Sequence, residues 1–139
     1  MRHFKRSFVI RKPVEQVFQI LSDVEGYETF IPFCIESKII EEKIGYSLVT
    51  LTIEFFSIQT SFTTKNVIKK NTSIEMDQIE GPFDKFKSSW ILEEVSEDAT
   101  NLSFEMSYQM NNKILEMVFT KNLTTVSESI VSAFKSRLN

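Results

Sequence analysis

NKILEMVFTKNLTTVSESIVSAFKSRLN, residues 112–139, is the stretch on which the fold turns. Its apolar residues Leu115, Phe119, Leu123, Val126, Ile130, Phe134 and Leu138 recur at gaps of four or three. That spacing keeps them on one stripe of a helix with a period of about 3.6 residues. Ile114, Met117, Val118 and Val131 widen the stripe, while Lys113, Glu116, Lys121, Glu128, Lys135 and Arg137 lie mostly off it. Neither Gly nor Pro interrupts the run. Asn111 or Asn112 offers a side-chain oxygen to the free amides of the first turn. The pattern predicts one long amphipathic helix. Its apolar face needs a broad partner, and the strand-rich middle of the chain is the candidate.

Working back from that helix, Leu102, Phe104, Met106, Tyr108 and Met110 alternate with Asn101, Ser103, Glu105, Ser107 and Gln109. This is the period of a half-buried strand. The acidic stretch 93–98 reads as a solvated turn. Before it, Phe86, Ser88, Trp90 and Leu92 share one parity, and Lys85 and Lys87 take the other. Gly81-Pro82 separates that strand from one headed by Ile74 and Met76. A Thr-rich strand over 59–69 carries Phe62 and Ile68 on one parity and ends in a polar turn at 69–71. Over 46–56, Val49, Leu51, Ile53 and Phe55 face one way and Thr50, Thr52 and Glu54 the other. Gly45 marks the turn from a strand at about 35–42.

The front of the chain holds a strand over about 3–11, with Phe4, Phe8 and Ile10 on one parity. Pro13 suits the first turn of a helix, where its missing N–H is not needed. Val14, Val17, Phe18, Leu21 and Val24 follow at helical spacing, and Gly26 stops them. The segment from Tyr27 to Cys34 crowds Phe30, Ile31 and Phe33 around Pro32. Proline disfavours helical geometry in the residue before it, so a short second helix or a pair of turns is predicted. The order is strand, helix, short helix, about six consecutive strands, long helix. Strands joined by short turns make an antiparallel meander with one buried face, and that face and the terminal helix need each other.

Composition narrows the function. The 139 residues suit one domain, and 42% apolar with 25% charged residues is an ordinary globular balance. A net charge of −3 argues against tight non-specific nucleic-acid binding. The one cysteine, Cys34, cannot form an intrachain disulfide and reads as a small packed hydrophobe. No apolar run is long enough to span a bilayer, and a cytoplasmic protein is expected. The one histidine, His3, reads as solvated, and Asp23, Glu25 and Glu28 read as a solvated helix end rather than an acid–base pair. Metal-ligand spacings and a Gly-rich phosphate loop are absent from the sequence.

What remains is aromatic and apolar surface. Phe30, Phe33, Phe55, Phe83, Trp90, Phe104, Met106, Tyr108 and Phe119 lie where a curled sheet would meet the long helix. They either fill a solid core or line a space for an apolar ligand. Ser88 and Gln78 on inward parities favour the space, because buried polar groups need partners.

Three stretches in order resemble one family. Asp23-Val24-Glu25-Gly26-Tyr27-Glu28-Thr29-Phe30-Ile31-Pro32-Phe33-Cys34, then Gly81-Pro82-Phe83 with Phe86 and Trp90, then Ala133-Phe134-Lys135-Ser136-Arg137 resemble the coenzyme-Q-binding START-like family. Phe62-Thr63-Thr64-Lys65-Asn66 resembles a strand segment there. That family includes the bacterial ribosome-association toxins and lies within the polyketide cyclase/dehydrase and lipid transport superfamily. Glu28 stands where the family often has Pro, Phe86 where Leu is usual, and Phe33 where toxin-type members commonly have Trp. The resemblance covers effectively the whole chain, 1–139, as a single lipid-binding domain. It implies an α+β helix-grip fold, a curved antiparallel sheet of about seven strands around the C-terminal helix, and a real cavity.

It further implies a non-enzymatic carrier for ubiquinone or a related polyprenyl lipid, without any required cofactor. The ring would take hydrogen bonds from Tyr108, Trp90 or Ser88. Tyr27, Phe30, Ile31 and Pro32 would form a gate touching the inner-membrane surface, with Lys5, Arg6, Arg11 and Lys12 facing anionic lipid heads. The alternative is a regulator that binds the large ribosomal subunit and blocks subunit association.

Overall fold

The alternating stretches form strands and the periodic ones helices. The order is β1 (Arg2–Ile10), α1 (Val14–Ser22), a 3₁₀ helix (Val24–Thr29), β2 (Cys34–Lys43), β3 (Tyr46–Phe55), β4 (Ile58–Lys69), β5 (Ser73–Glu80), β6 (Phe83–Ser96), β7 (Ala99–Met110) and α2 (Lys113–Leu138). This computed structural model describes residues 1–55 and 57–138; the side chains of Phe55 and Leu123 lie outside the described set. The cavity place expected of Phe55 therefore also lies outside it.

The strands form one seven-stranded sheet in the order β1-β7-β6-β5-β4-β3-β2. Every pairing is antiparallel, so β2 to β7 are a meander and β1 closes on β7. Register puts Phe4 opposite Met106 and Trp90 opposite Phe104, which gathers large apolar side chains at the centre. α1 lies against β5, β6 and β7 and touches α2, burying Val14, Val17 and Leu21. The fold is the helix-grip, START-like arrangement, with α2 held along the sheet.

Two turns depart from expectation. The acidic stretch at 93–98 is mostly strand: Glu94 pairs with Thr100 and Ser96 with Ala99, so the turn shrinks to its tip. The glutamates need only face water, and the β7 backbone supplies the ladder partners. Gln78, expected inside, instead braces the Gly81-Pro82 turn. Its Nε2 donates to the Phe83 carbonyl at 2.7 Å, and its Oε1 accepts from the Phe83 amide at 3.2 Å. Gly81 has φ +152°, and a Cβ there would stand 2.4 Å from the Phe62 Cβ, so glycine is required on both counts.

α2 starts at a true cap. The Asn112 side-chain oxygen accepts from the amides of Ile114 at 3.0 Å and Leu115 at 3.1 Å. Val126, Val131, Phe134 and Leu138 are buried, whereas Leu115 and Phe119 are only half-buried. Ile114 and Met117, expected to widen the buried stripe, are 68% and 69% exposed. The helix tapers away from the core toward its start, so one periodic stripe has two different environments.

Candidate functional site

A cavity of about 130 Å³ lies between the concave sheet and α2. β3 to β7 supply its floor, α2 its roof, and the 31–34 segment one end. Phe33, Phe83, Trp90, Phe104, Met106, Tyr108 and Phe119, all predicted for it, line it together with Tyr27, Ile31 and Pro32. Sequence reading missed Leu51, Ile53, Phe62, Met76, Phe86, Val126, Ile130 and Phe134, which also line it. Their signal was present in strand parity and in the helix stripe. What could not be read was how far the sheet curls.

Aromatic rings set the shape of the walls. Trp90 lies 4.6 Å from both Phe104 and Phe134, centroid to centroid. Phe83 is the hub at the other end, 5.0 Å from Phe86, 5.4 Å from Phe62, 5.7 Å from Phe119 and 5.8 Å from Tyr108. Phe33 has φ +72°, a left-handed backbone that is costly for a bulky side chain. The Phe33 carbonyl accepts from the Glu54 amide at 2.8 Å, which ties that conformation to β3.

Phe30 takes a different place from the one expected. It is half-buried outside the cavity wall, 6.2 Å from Tyr27 and 5.2 Å from Phe134, with the Arg137 guanidinium 5.6 Å from its ring centroid. Tyr27 does not sit at the surface either. It is 5% exposed, its hydroxyl donates to the Leu21 carbonyl, and its ring meets Phe134 edge-on at 5.4 Å. Burial, with Asp23 and Cys34 nearby, pushes its phenol well above the ordinary range.

The acidic residues of the same segment do structural work. β2 is an edge strand with one side unpaired by sheet. Glu25 accepts from the Ile39 amide at 3.1 Å and Glu28 from the Ser37 amide at 3.4 Å. Ser37, itself buried, donates back to the Val24 carbonyl at 2.6 Å. The 3₁₀ helix thus covers the sheet edge and satisfies backbone donors there. Both residues are exposed, as expected of a solvated helix end, and their carboxylates also accept from the edge strand.

Few polar groups reach the cavity. Ser88 and Cys34 line it. Burial and the nearby Glu28 carboxylate push the Cys34 thiol up to about 11, so it is a protonated, unreactive wall group at neutral pH. Tyr108 is 1% exposed, and its buried hydroxyl lies beside the buried hydroxyl of Thr120. Among the described lining residues there is no His, Asp, Glu, Lys or Arg. Among all described residues, no group of acidic, His and Cys side chains is placed to hold a metal ion, and no helix is long and apolar enough to cross a membrane.

Comparison with known proteins places this geometry in context. The chain is 30% identical over 137 residues to the persistence and stress-resistance toxin PasT of Escherichia coli O6:H1, covering 99% of this chain and 87% of that one. It is 29% identical, with the same coverage, to the ribosome association toxin RatA of Escherichia coli K12. It is 24% identical to the mitochondrial coenzyme Q-binding protein COQ10 of Dictyostelium discoideum, covering 92% of this chain and 64% of that one. Among solved structures, a START superfamily protein from Mycobacterium smegmatis superposes with a TM-score of 0.79 at 17% identity, covering 98% and 96% of the two chains. The Zhui aromatase/cyclase from Streptomyces sp. R1128 gives a TM-score of 0.79 at 19% identity, covering 99% and 96%. These two likenesses are of fold. The family model for polyketide cyclase/dehydrase and lipid transport matches residues 10–135, and this chain belongs to that family.

Proposed function

We propose that this protein binds a polyprenyl quinone such as ubiquinone, ring first, in the cavity under α2, and acts as a carrier rather than an enzyme. The observation that supports this reading most is the cavity itself: apolar, roofed by a helix, and with no His, Asp, Glu, Lys or Arg among its described lining residues. Apolar surface is expelled from water at about 25 cal/mol per Å², so an isoprenoid chain gains from any shielding. The cavity is near the size of an engineered one of about 150 Å³ that takes up benzene. It is below the range of about 300–1,000 Å³ usual for drug-sized ligands. A ring and the root of its tail suit it, and a longer tail requires α2 or the Phe33 loop to move. The relative named coenzyme Q-binding gives the reading its ligand class.

A second reading has its own support. The relatives named as toxins align over 99% of the chain at 29% and 30% identity, against 24% for the coenzyme Q-binding relative. On this reading the protein binds the large ribosomal subunit. A net charge of −3 weighs against broad contact with rRNA.

One experiment separates the two. The freshly purified protein is extracted with organic solvent, and the extract is compared by mass spectrometry with a mock purification. A stoichiometric polyprenyl quinone is expected. An empty extract, with added quinone failing to bind and the protein co-sedimenting with large subunits in a salt-dependent way, would replace the first reading by the second.

A further inference from the structure

Ser88 stands near the middle of β6, on the concave face of the sheet. Its ladder partners are Met76 on β5 and Met106 on β7. Phe86 and Trp90, two residues before and after it, share its face of the strand. All four neighbours line the cavity with it. A serine side chain ends one heavy atom beyond its Cβ, so among four long side chains it leaves a notch in the cavity floor. A hydroxyl stands at the bottom of that notch.

The other polar side chains of the wall are engaged elsewhere. The Tyr27 hydroxyl donates to the Leu21 carbonyl. The Tyr108 hydroxyl is paired with that of Thr120. The Cys34 thiol donates to the Glu36 carbonyl at 3.6 Å. The Trp90 indole is packed against Phe104 and Phe134, each 4.6 Å away, centroid to centroid. Among the described residues the Ser88 hydroxyl has no partner, and unlike that of Ser127 it is not sealed inside the protein. A hydroxyl that faces an apolar space has one hydrogen bond to give, and leaving it unmade is costly.

We infer that Ser88 is the residue by which the cavity selects its ligand: its hydroxyl donates to one oxygen of a ring that enters the notch. The inference rests on the quinone reading above and sharpens it. It narrows the donors expected from the sequence, Tyr108, Trp90 and Ser88, to Ser88. One donor satisfies one ring oxygen. The quinone therefore stands with one carbonyl at Ser88 and the opposite carbonyl turned away from the floor, because a carbonyl buried without a donor loses its hydration for nothing. The ligand class is an apolar-tailed ring that turns a single oxygen inward; a pure hydrocarbon gains nothing from Ser88.

The test uses the intact protein with decyl-ubiquinone, and with decylbenzene, which has the same tail and no oxygen, as its competitor. Trp90 lines the cavity and is the chain's one tryptophan, so its fluorescence reports occupancy. In Ser88→Ala, decyl-ubiquinone should bind about tenfold more weakly, as expected for one lost hydrogen bond. Decylbenzene should bind as to the wild type. Infrared spectra of bound decyl-ubiquinone give a second readout that needs no variant. The wild type should show two carbonyl bands, one of them moved to lower frequency by the hydrogen bond, and Ser88→Ala should merge them. Equal loss of both probes, no loss of decyl-ubiquinone, or a single carbonyl band in the wild type would overturn the inference and leave the quinone reading standing. Wild-type protein that does not bind decyl-ubiquinone would overturn both.

Discussion

The two halves of α2 share one sequence pattern and differ in almost everything else. The carboxyl half is clamped. Phe134, 1% exposed, sits among Tyr27, Phe30 and Trp90 at centroid distances of 4.6–5.4 Å. Arg6 on β1 donates through Nε to Glu128 at 2.8 Å, the Lys135 ammonium lies 5.1 Å from the Phe8 ring centroid, and Arg137 covers Phe30. The amino half has its Asn112 cap and the contacts of Phe119 with Phe83 and Tyr108. A regular stripe specifies a helix; what faces the stripe decides how tightly it is held. The cavity runs under both halves: Phe119 lines it from the amino half, and Val126, Ile130 and Phe134 from the carboxyl half.

The comparison can be broken most decisively by truncation. Phe134→Ala should cost about 3–5 kcal/mol, the usual range for a buried ring, read from urea midpoints. Phe119→Ala should cost about 1–2 kcal/mol, because its ring is half-buried beside existing empty space. Equal costs would show that the halves are equally clamped.

Cys34 sharpens the comparison from the cavity's other end. A thiol raised from 9.0 to about 11 carries roughly a hundredfold less thiolate at pH 8, so maleimide labelling should be slower by about that factor than in the unfolded chain. The sign for stability follows. The unfolded thiol loses its proton first as pH rises through 9, so the folded state's advantage is full below that pH and is lost toward 11. Wild type should therefore lose more stability than Cys34→Ala between pH 8 and pH 11, measured by urea midpoints. An equal loss would place Cys34 outside a low-dielectric wall.

Smaller effects complete the series. Glu128→Gln removes an ion pair whose partners are about half exposed, and should cost no more than about 1 kcal/mol, less in high salt. Met117→Ser should change stability by less than about 0.5 kcal/mol. A large loss there would mean that the amino half is packed after all.

Much of this molecule was legible in its sequence, for reasons that also mark the limit. Strand alternation from Tyr46 to Met110 and the α2 stripe depend on local period, and both gave the right elements in the right order. Most of the predicted cavity residues line one space because parity fixes the face on which a strand side chain stands. Glu25 and Glu28 are exposed as expected, but their partners were not legible, because only the tertiary fold brings the amides of a strand edge beside them. Gln78 was misread because parity says which face a side chain leaves from, not that it will turn back to brace its own hairpin. Phe30 and Tyr27 look like gate residues until Phe134, more than a hundred residues on, is placed against them.

The most direct measurement is amide hydrogen exchange along α2 with and without decyl-ubiquinone. The account predicts that amides of 113–123 exchange faster than those of 126–138 in the empty protein. It also predicts that quinone slows the first group, while 24–30 and 126–138 barely change. Even exchange along the helix, with quinone slowing the 24–34 segment instead, would contradict it.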